Sequence, residues 1–285
     1  MMNDHFVETN GIRLHYVDYN PSGGTTGDPL ILLHGLTANA ASFGGLIRAG
    51  LADSMRVIAV DLRGRGLSDK PETGYGVDDH AKDILGLMDA LKIDRAVLGG
   101  HSYGGRVAIY LAVHHPERVK KLVFMDVGFF HPSIAALIMP SVNRLDKTVP
   151  SWDIFIESMR QSPVYHDCWD ADLEAYFRAD VETMPDGSVK PRSRLANIME
   201  TAQKGESLNW ETLFKQVQQP AIILHAPDPY GTGDTPPLLS EEGARRAADL
   251  MANCQYQRMT GNHVTMVFGA HARGVVDTIT AFVRA

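Results

Sequence analysis

Short apolar runs and longer amphipathic stretches alternate along most of the chain. Leu30-Ile31-Leu32-Leu33, Arg56-Val57-Ile58-Ala59-Val60, Ala96-Val97-Leu98, Leu122-Val123-Phe124-Met125 and Ala221-Ile222-Ile223-Leu224 each end at a polar residue or glycine, as strands buried on both faces do. Between them, residues 78–91 and 103–115 carry apolar side chains at helical spacing, and Pro116 stands where a proline commonly stops a helix. Residues 6–8 and 12–19 flank Asn10-Gly11, the dipeptide that suits a tight type I′ hairpin turn. A surface loop is expected over Asn20-Pro21-Ser22-Gly23-Gly24 and Gly27. The alternation predicts an α/β fold, a largely parallel sheet with helices on its faces.

Residues 127–220 break this rhythm. They read as helices over 151–160, 170–180 and 194–203, separated by Pro150, Pro163 and Pro185-Asp186-Gly187. A helical insertion into an α/β core explains the pattern, with 1–126 and 221–285 as the core and 127–220 as its cap. At 285 residues the chain is about twice a common domain length of roughly 150, and the insertion accounts for the excess without a second sheet.

Composition narrows the partners. Lys and Arg number 27 against 34 Asp and Glu, a formal net charge of −7, and no basic run stands out, which argues against nucleic acid and anionic membranes. Hydrophobic content of 44% suits a soluble globular chain, and no apolar run approaches the roughly 18 residues of a membrane span. Asn3, Asp4 and His5 stand where a signal peptide needs basic then apolar residues, so a cytoplasmic protein is expected. Cys168 and Cys254 show no metal-ligand spacing. A small, partly apolar molecule is the expected partner, with no cofactor and no metal, and the oligomeric state stays open.

The chemistry concentrates at Gly100-His101-Ser102-Tyr103-Gly104-Gly105, a G-x-S-x-G pattern between an expected strand and an expected helix. That context is a nucleophile elbow, whose glycines allow the close backbone approach that a sharp strand-to-helix turn requires. Ser102 needs a base. Of twelve histidines, His263 lies in a loop after the last short strand and before the final helix, in the order nucleophile, acid, histidine. The acid that orients it has two candidates at strand ends, Asp126 and Asp228. Backbone N–H groups of Leu36, after the Leu30 to Leu33 run, and of Tyr103, next to the serine, are the expected oxyanion donors.

With His34-Gly35 after one strand, Asp61-Leu62-Arg63-Gly64-Arg65-Gly66-Leu67-Ser68 after the next, the Gly100 to Gly105 turn, and His115-Pro116-Glu117-Arg118-Val119 beyond it, the chain resembles the α/β-hydrolase superfamily. The resemblance spans everything outside the insertion. It implies a mostly parallel eight-stranded sheet, helices on both faces and a helical lid over the serine. Most members of that superfamily carry the acid in a glycine-led turn after the strand that follows the lid, where this chain has Ala226-Pro227-Asp228. Some esterase-like and lactonase-like members carry it at the end of the strand after the nucleophile helix, which is Asp126 here. The implied site is thus Ser102, Asp126 and His263, with Asp228 second choice for the acid. The implied activity is hydrolysis of a small carboxylic ester or lactone.

Three alternatives remain. Carbon–carbon hydrolases of ring-cleavage products share the triad order, but many resemble one another in a Gly-His-Trp triplet where this chain has Asn262-His263-Val264. An amide hydrolase is a second, and a non-enzymatic small-molecule receptor a third. Epoxide hydrolases and dehalogenases are disfavoured, because they use an aspartate at the Ser102 position. Asp61 and Arg63 read as ties for their own loop. Within the insertion, Phe129, Phe130, Met139 and Met199, with Trp152, Phe155, Met159 and Trp169, either line a pocket or pack the cap. Lys190, Arg192 and Arg194 read as a solvated face rather than a carboxylate reader.

Overall fold

The computed structural model of the chain describes residues 4–20, 27–165 and 168–285, so residues 21–24 of the expected surface loop lie outside the described residues. Asn10 and Gly11 take φ of 45° and 75° and close β1 (Asp4–Thr9) onto β2 (Ile12–Tyr19) in antiparallel register. The apolar runs follow as β3 (Leu30–Leu33), β4 (Val57–Val60), β5 (Ala96–His101) and β6 (Val119–Met125). Their connections carry α1 (Gly44–Arg48), α2 (Val77–Ala90) and α3 (Tyr103–His114).

Residues 127–220 contain α4 (Ile134–Asn143), α5 (Trp152–Arg160), α6 (Ala171–Asp180), β7 (Val181–Thr183), β8 (Val189–Pro191), α7 (Leu195–Glu206) and α8 (Trp210–Gln216). After them come β9 (Ala221–His225), α9 (Glu241–Leu250), β10 (Cys254–Arg258) and α10 (His271–Arg284). Pro185-Asp186-Gly187 is the turn of the small β7–β8 hairpin, not a break between helices.

Eight strands form one sheet in the order β1-β2-β4-β3-β5-β6-β9-β10, with β2 antiparallel to both its neighbours and the other pairings parallel. Alternate side chains of each strand face opposite sides. Ile31 and Leu33 therefore join Ile84, Val107 and Leu111 of α2 and α3, whereas Leu30 and Leu32 join Leu46, Val275 and Ile279 of α1 and α10. Within residues 127–220, α8 packs Leu213 and Phe214 into the first of these layers. Among the described residues no helix is long and apolar enough to cross a membrane.

The strand order positions the site. From β3 the chain crosses to β4 on one side and later to β5 on the other, so the sheet reverses winding between β3 and β5, where open α/β sheets leave a crevice beyond their C-terminal ends. Leu33 pairs with Gly100 and His101 with Met125. The loops starting at His34, Ser102 and Asp126 consequently emerge side by side.

Candidate active site

Ser102 sits between β5 and α3 with φ 52° and ψ −116°, a conformation a residue with a Cβ holds only when its surroundings enforce it. Its N–H donates to the Met125 carbonyl at 3.1 Å and its carbonyl accepts from Gly105 N–H at 3.0 Å. The flanking glycines leave room for that turn. A Cβ on Gly104 would stand 1.9 Å from the Leu33 carbonyl oxygen, and one on Gly100 would stand 2.3 Å from the Gly105 nitrogen. Both obstacles are backbone. Gly104→Ala is accordingly expected to cost about 3 kcal/mol of overpacking strain, or a Tm drop of roughly 6–12 °C for a chain of this size. A melting curve within 3 °C of wild type would show that the elbow is looser than this geometry.

Asp126, fully buried directly after β6, also holds a positive φ of 53°. Its Oδ1 accepts from Ala226 N–H at 2.9 Å and its Oδ2 receives His263 Nδ1 at 2.6 Å. A carboxylate so placed keeps the proton on Nδ1 and leaves the Nε2 lone pair free to accept one. The His263 loop is braced from several sides. Asn262 Oδ1 accepts from Val264 and Thr265 N–H, and Asn262 Nδ2 donates to the Val164 carbonyl at 2.9 Å. The His101 ring donates from Nε2 to the His263 carbonyl at 2.7 Å.

Asp228 stands elsewhere. Its Oδ2 accepts from Gly261 N–H at 2.9 Å, so it ties down the loop leading to His263.

The two histidines flanking the turns are neutral braces. Burial pushes the His101 imidazole down to about 3, helped by neighbouring His263, and the His34 imidazole down to about 4. His34 donates from Nδ1 to the Gly35 carbonyl at 2.8 Å and accepts Leu62 N–H on Nε2 at 3.0 Å. In a trans peptide the carbonyl and the next N–H point opposite ways. By fixing the Gly35 carbonyl, His34 therefore aims the Leu36 N–H away from itself. Arg65 Nε holds the Leu36 carbonyl at 3.1 Å, and its Nη2 reaches Thr201 Oγ1 on α7 at 2.9 Å. The Tyr103 N–H opens α3, where no carbonyl of its own helix can accept it. Asp61 accepts from Ala40 and Leu67 N–H and from His15, and Arg63 pairs with Asp83, so both serve the loop's structure.

Ser102, His263, Leu36 and Tyr103 all line one cavity of about 780 Å³, with Asp126 behind the imidazole. Phe129, Phe130, Met139 and Met199 contribute to its wall. Trp152, Phe155, Met159 and Trp169 pack instead into the second core layer; Lys190 and Arg194 are exposed away from the cavity, whereas Arg192, also away from it, is half-buried. Sequence reasoning missed α4, which supplies Ile134, Ile138 and Val142 to the wall, as well as Tyr230 and Arg106. Proximity of Arg106 to the elbow, four residues after Ser102, was its available signal. The arrangement can position a carbonyl against a serine hydroxyl, an imidazole and two N–H donors. Among the described residues no cluster of His, Cys, Asp or Glu could hold a metal ion.

A family model of the alpha/beta hydrolase fold matches residues 28–162. The 2-(acetamidomethylene)succinate hydrolase of Mesorhizobium japonicum is 31% identical over 225 residues, 78% of each chain. A crystal structure of E-2-(acetamidomethylene)succinate hydrolase superposes with a TM-score of 0.85 at 25% identity, covering all of both chains. The 2-hydroxymuconate semialdehyde hydrolase of Pseudomonas sp. strain CF600 is 41% identical over 118 residues, 40% of each chain.

Proposed function

We propose, from the premise that this chain is a member of the α/β-hydrolase fold family, that it is a cofactor-independent serine hydrolase of small carboxylic esters or lactones. The observation that carries the reading is the 2.6 Å contact between His263 Nδ1 and Asp126 at the wall of a cavity that Ser102 also lines. His263 Nε2 takes the proton from Ser102 Oγ as that oxygen attacks the substrate carbonyl. The oxyanion rests on the Leu36 and Tyr103 N–H groups, each worth about 3 kcal/mol in the transition state. Collapse of the tetrahedral intermediate breaks the bond to the leaving group, which takes the proton from His263. Water, deprotonated by the same imidazole, then cleaves the acyl-enzyme and restores Ser102.

A second reading, amide hydrolysis, is favoured by one comparison, since the Mesorhizobium relative's name places an acetamido group on its substrate. The machinery is the same, and only the leaving group differs. Steady-state rates on 4-nitrophenyl butyrate, a butyrolactone and butyric 4-nitroanilide separate the readings. Ester or lactone kcat/KM is expected to exceed that of the anilide by at least 100-fold. An anilide turned over as fast as the ester moves the conclusion to amides. No turnover of any of them, with retained binding of an apolar ligand, would make the protein a receptor.

A further inference from the structure

The cavity contains a cation that the chemistry above does not use. Arg106 stands on α3 about one turn after Ser102 and lines the same cavity. Ser102 caps the N-terminus of α3 and Arg106 stands in its first turn, so both reach the cavity from the same end of that helix.

Its guanidinium is walled by aromatic rings, 4.2 Å from the Trp210 centroid, 5.7 Å from Phe130 and 5.8 Å from Phe214. Nη2 donates to the Gly128 carbonyl at 3.0 Å, while Nη1 is buried with no hydrogen-bond partner among the described residues. Among the described residues no carboxylate pairs with it, and burial pushes the guanidinium down to about 10. Arg144, which also lines the cavity, is matched by Asp180. Of the acidic residues at the cavity, Glu211 is engaged by Lys215 and Arg246, and Glu206 is exposed.

A desolvated, half-satisfied guanidinium inside a cavity is costly to the folded chain, and the cost is offset when a planar anion enters and takes its free N–H groups. We propose that Arg106 is a carboxylate-binding subsite, and that the substrate carries a free carboxylate a few bonds from the carbonyl that Ser102 attacks. With both residues on one cavity, the matching substrate class is a half-ester or half-amide of a short dicarboxylic acid, its anion at Arg106 and its acyl carbon at Ser102. Only the second half of this statement rests on the serine-hydrolase reading. Anion binding at Arg106 stands without it.

The test compares 4-nitrophenyl hydrogen succinate, an anion at neutral pH, with the neutral 4-nitrophenyl butyrate, and adds calorimetric titration of Ser102→Ala with monomethyl succinate. Wild-type kcat/KM is expected to favour the anionic ester by about 30-fold, the range of a charge-assisted hydrogen-bond pair. Arg106→Met is expected to lower that ratio at least tenfold, chiefly through KM, with Arg106→Lys in between. Ser102→Ala should bind monomethyl succinate, and the Ser102→Ala, Arg106→Met double variant should not. Should Arg106→Met fail to fold, the wild-type preference and the Lys variant decide. A wild-type enzyme that prefers the neutral ester, or a ratio that Arg106→Met leaves intact, overturns the proposal. Hydrolysis of neither ester, with Arg106-dependent binding of monomethyl succinate retained, would remove the hydrolase reading and leave the anion site standing.

Discussion

Ser102→Ala is expected to lower kcat on 4-nitrophenyl butyrate by about 10⁵- to 10⁶-fold while leaving the melting temperature nearly unchanged. In the proposed mechanism the Ser102 oxygen is the atom that bonds to the acyl carbon, and alanine has no atom to replace it. Alanine keeps a Cβ and demands the same backbone conformation, φ 52° and ψ −116°, so the strain of the turn is carried equally by both forms. Ser102 is only partly buried, and loss of one oxygen opens no core cavity. Residual turnover above the uncatalysed rate, about 10³-fold, would remain from the Leu36 and Tyr103 N–H groups. Retention of more than a tenth of wild-type kcat, with a matched melting curve, would mean that the serine is not the nucleophile.

Asp126→Asn is the next largest effect, about 10⁴-fold in kcat. The amide has the carboxylate's shape, and its oxygen can still accept the Ala226 N–H that Oδ1 now accepts at 2.9 Å. Its NH₂ group then faces His263 Nδ1, where the carboxylate oxygen stands at 2.6 Å. Two donors cannot share that contact. The imidazole must move its proton to Nε2, and the lone pair that should receive the serine proton is lost. Asp228→Asn should fall within about tenfold of wild type, because an amide oxygen can go on accepting the Gly261 N–H that Asp228 Oδ2 accepts at 2.9 Å. Paired kcat measurements on the two variants decide between the carboxylates. A near-wild-type Asp126→Asn beside an inactive Asp228→Asn would exchange their roles.

What could be read from the chain, and what could not, follows from where each signal lives. Strands such as Leu30–Leu33 and Ala221–His225 are buried on both faces, so their apolar runs declare them. The elbow declares itself through glycines that the close approach to Leu33 requires. By contrast, α4 is almost uniformly apolar and contains Pro140. Ile134, Ile138 and Val142 face the cavity at helical spacing, but Ala135, Ala136, Leu137 and Met139 between them are apolar too, so no period shows in the sequence, and the proline imitates a break. The β7–β8 hairpin has three residues per strand, too few for alternation to register. Asp126 and Asp228 both follow apolar strands, and only the order of β5, β6 and β9 in the sheet reveals which of them meets the imidazole. Arg106 is the sharpest case. In the sequence it is one more helical cation, and its isolation comes from the rings of Phe130, Trp210 and Phe214, which lie 24 or more residues further along the chain.

The most direct test of the serine-hydrolase mechanism is the intact mass of the protein after incubation with a fluorophosphonate, followed by peptide mapping. Attack by an activated Ser102 displaces fluoride and leaves a phosphonyl ester. The expected result is one phosphonyl group per chain, mapped to Ser102, with Ser102→Ala unmodified under the same conditions. A wild-type mass that does not change, or identical labelling of Ser102→Ala, would contradict it.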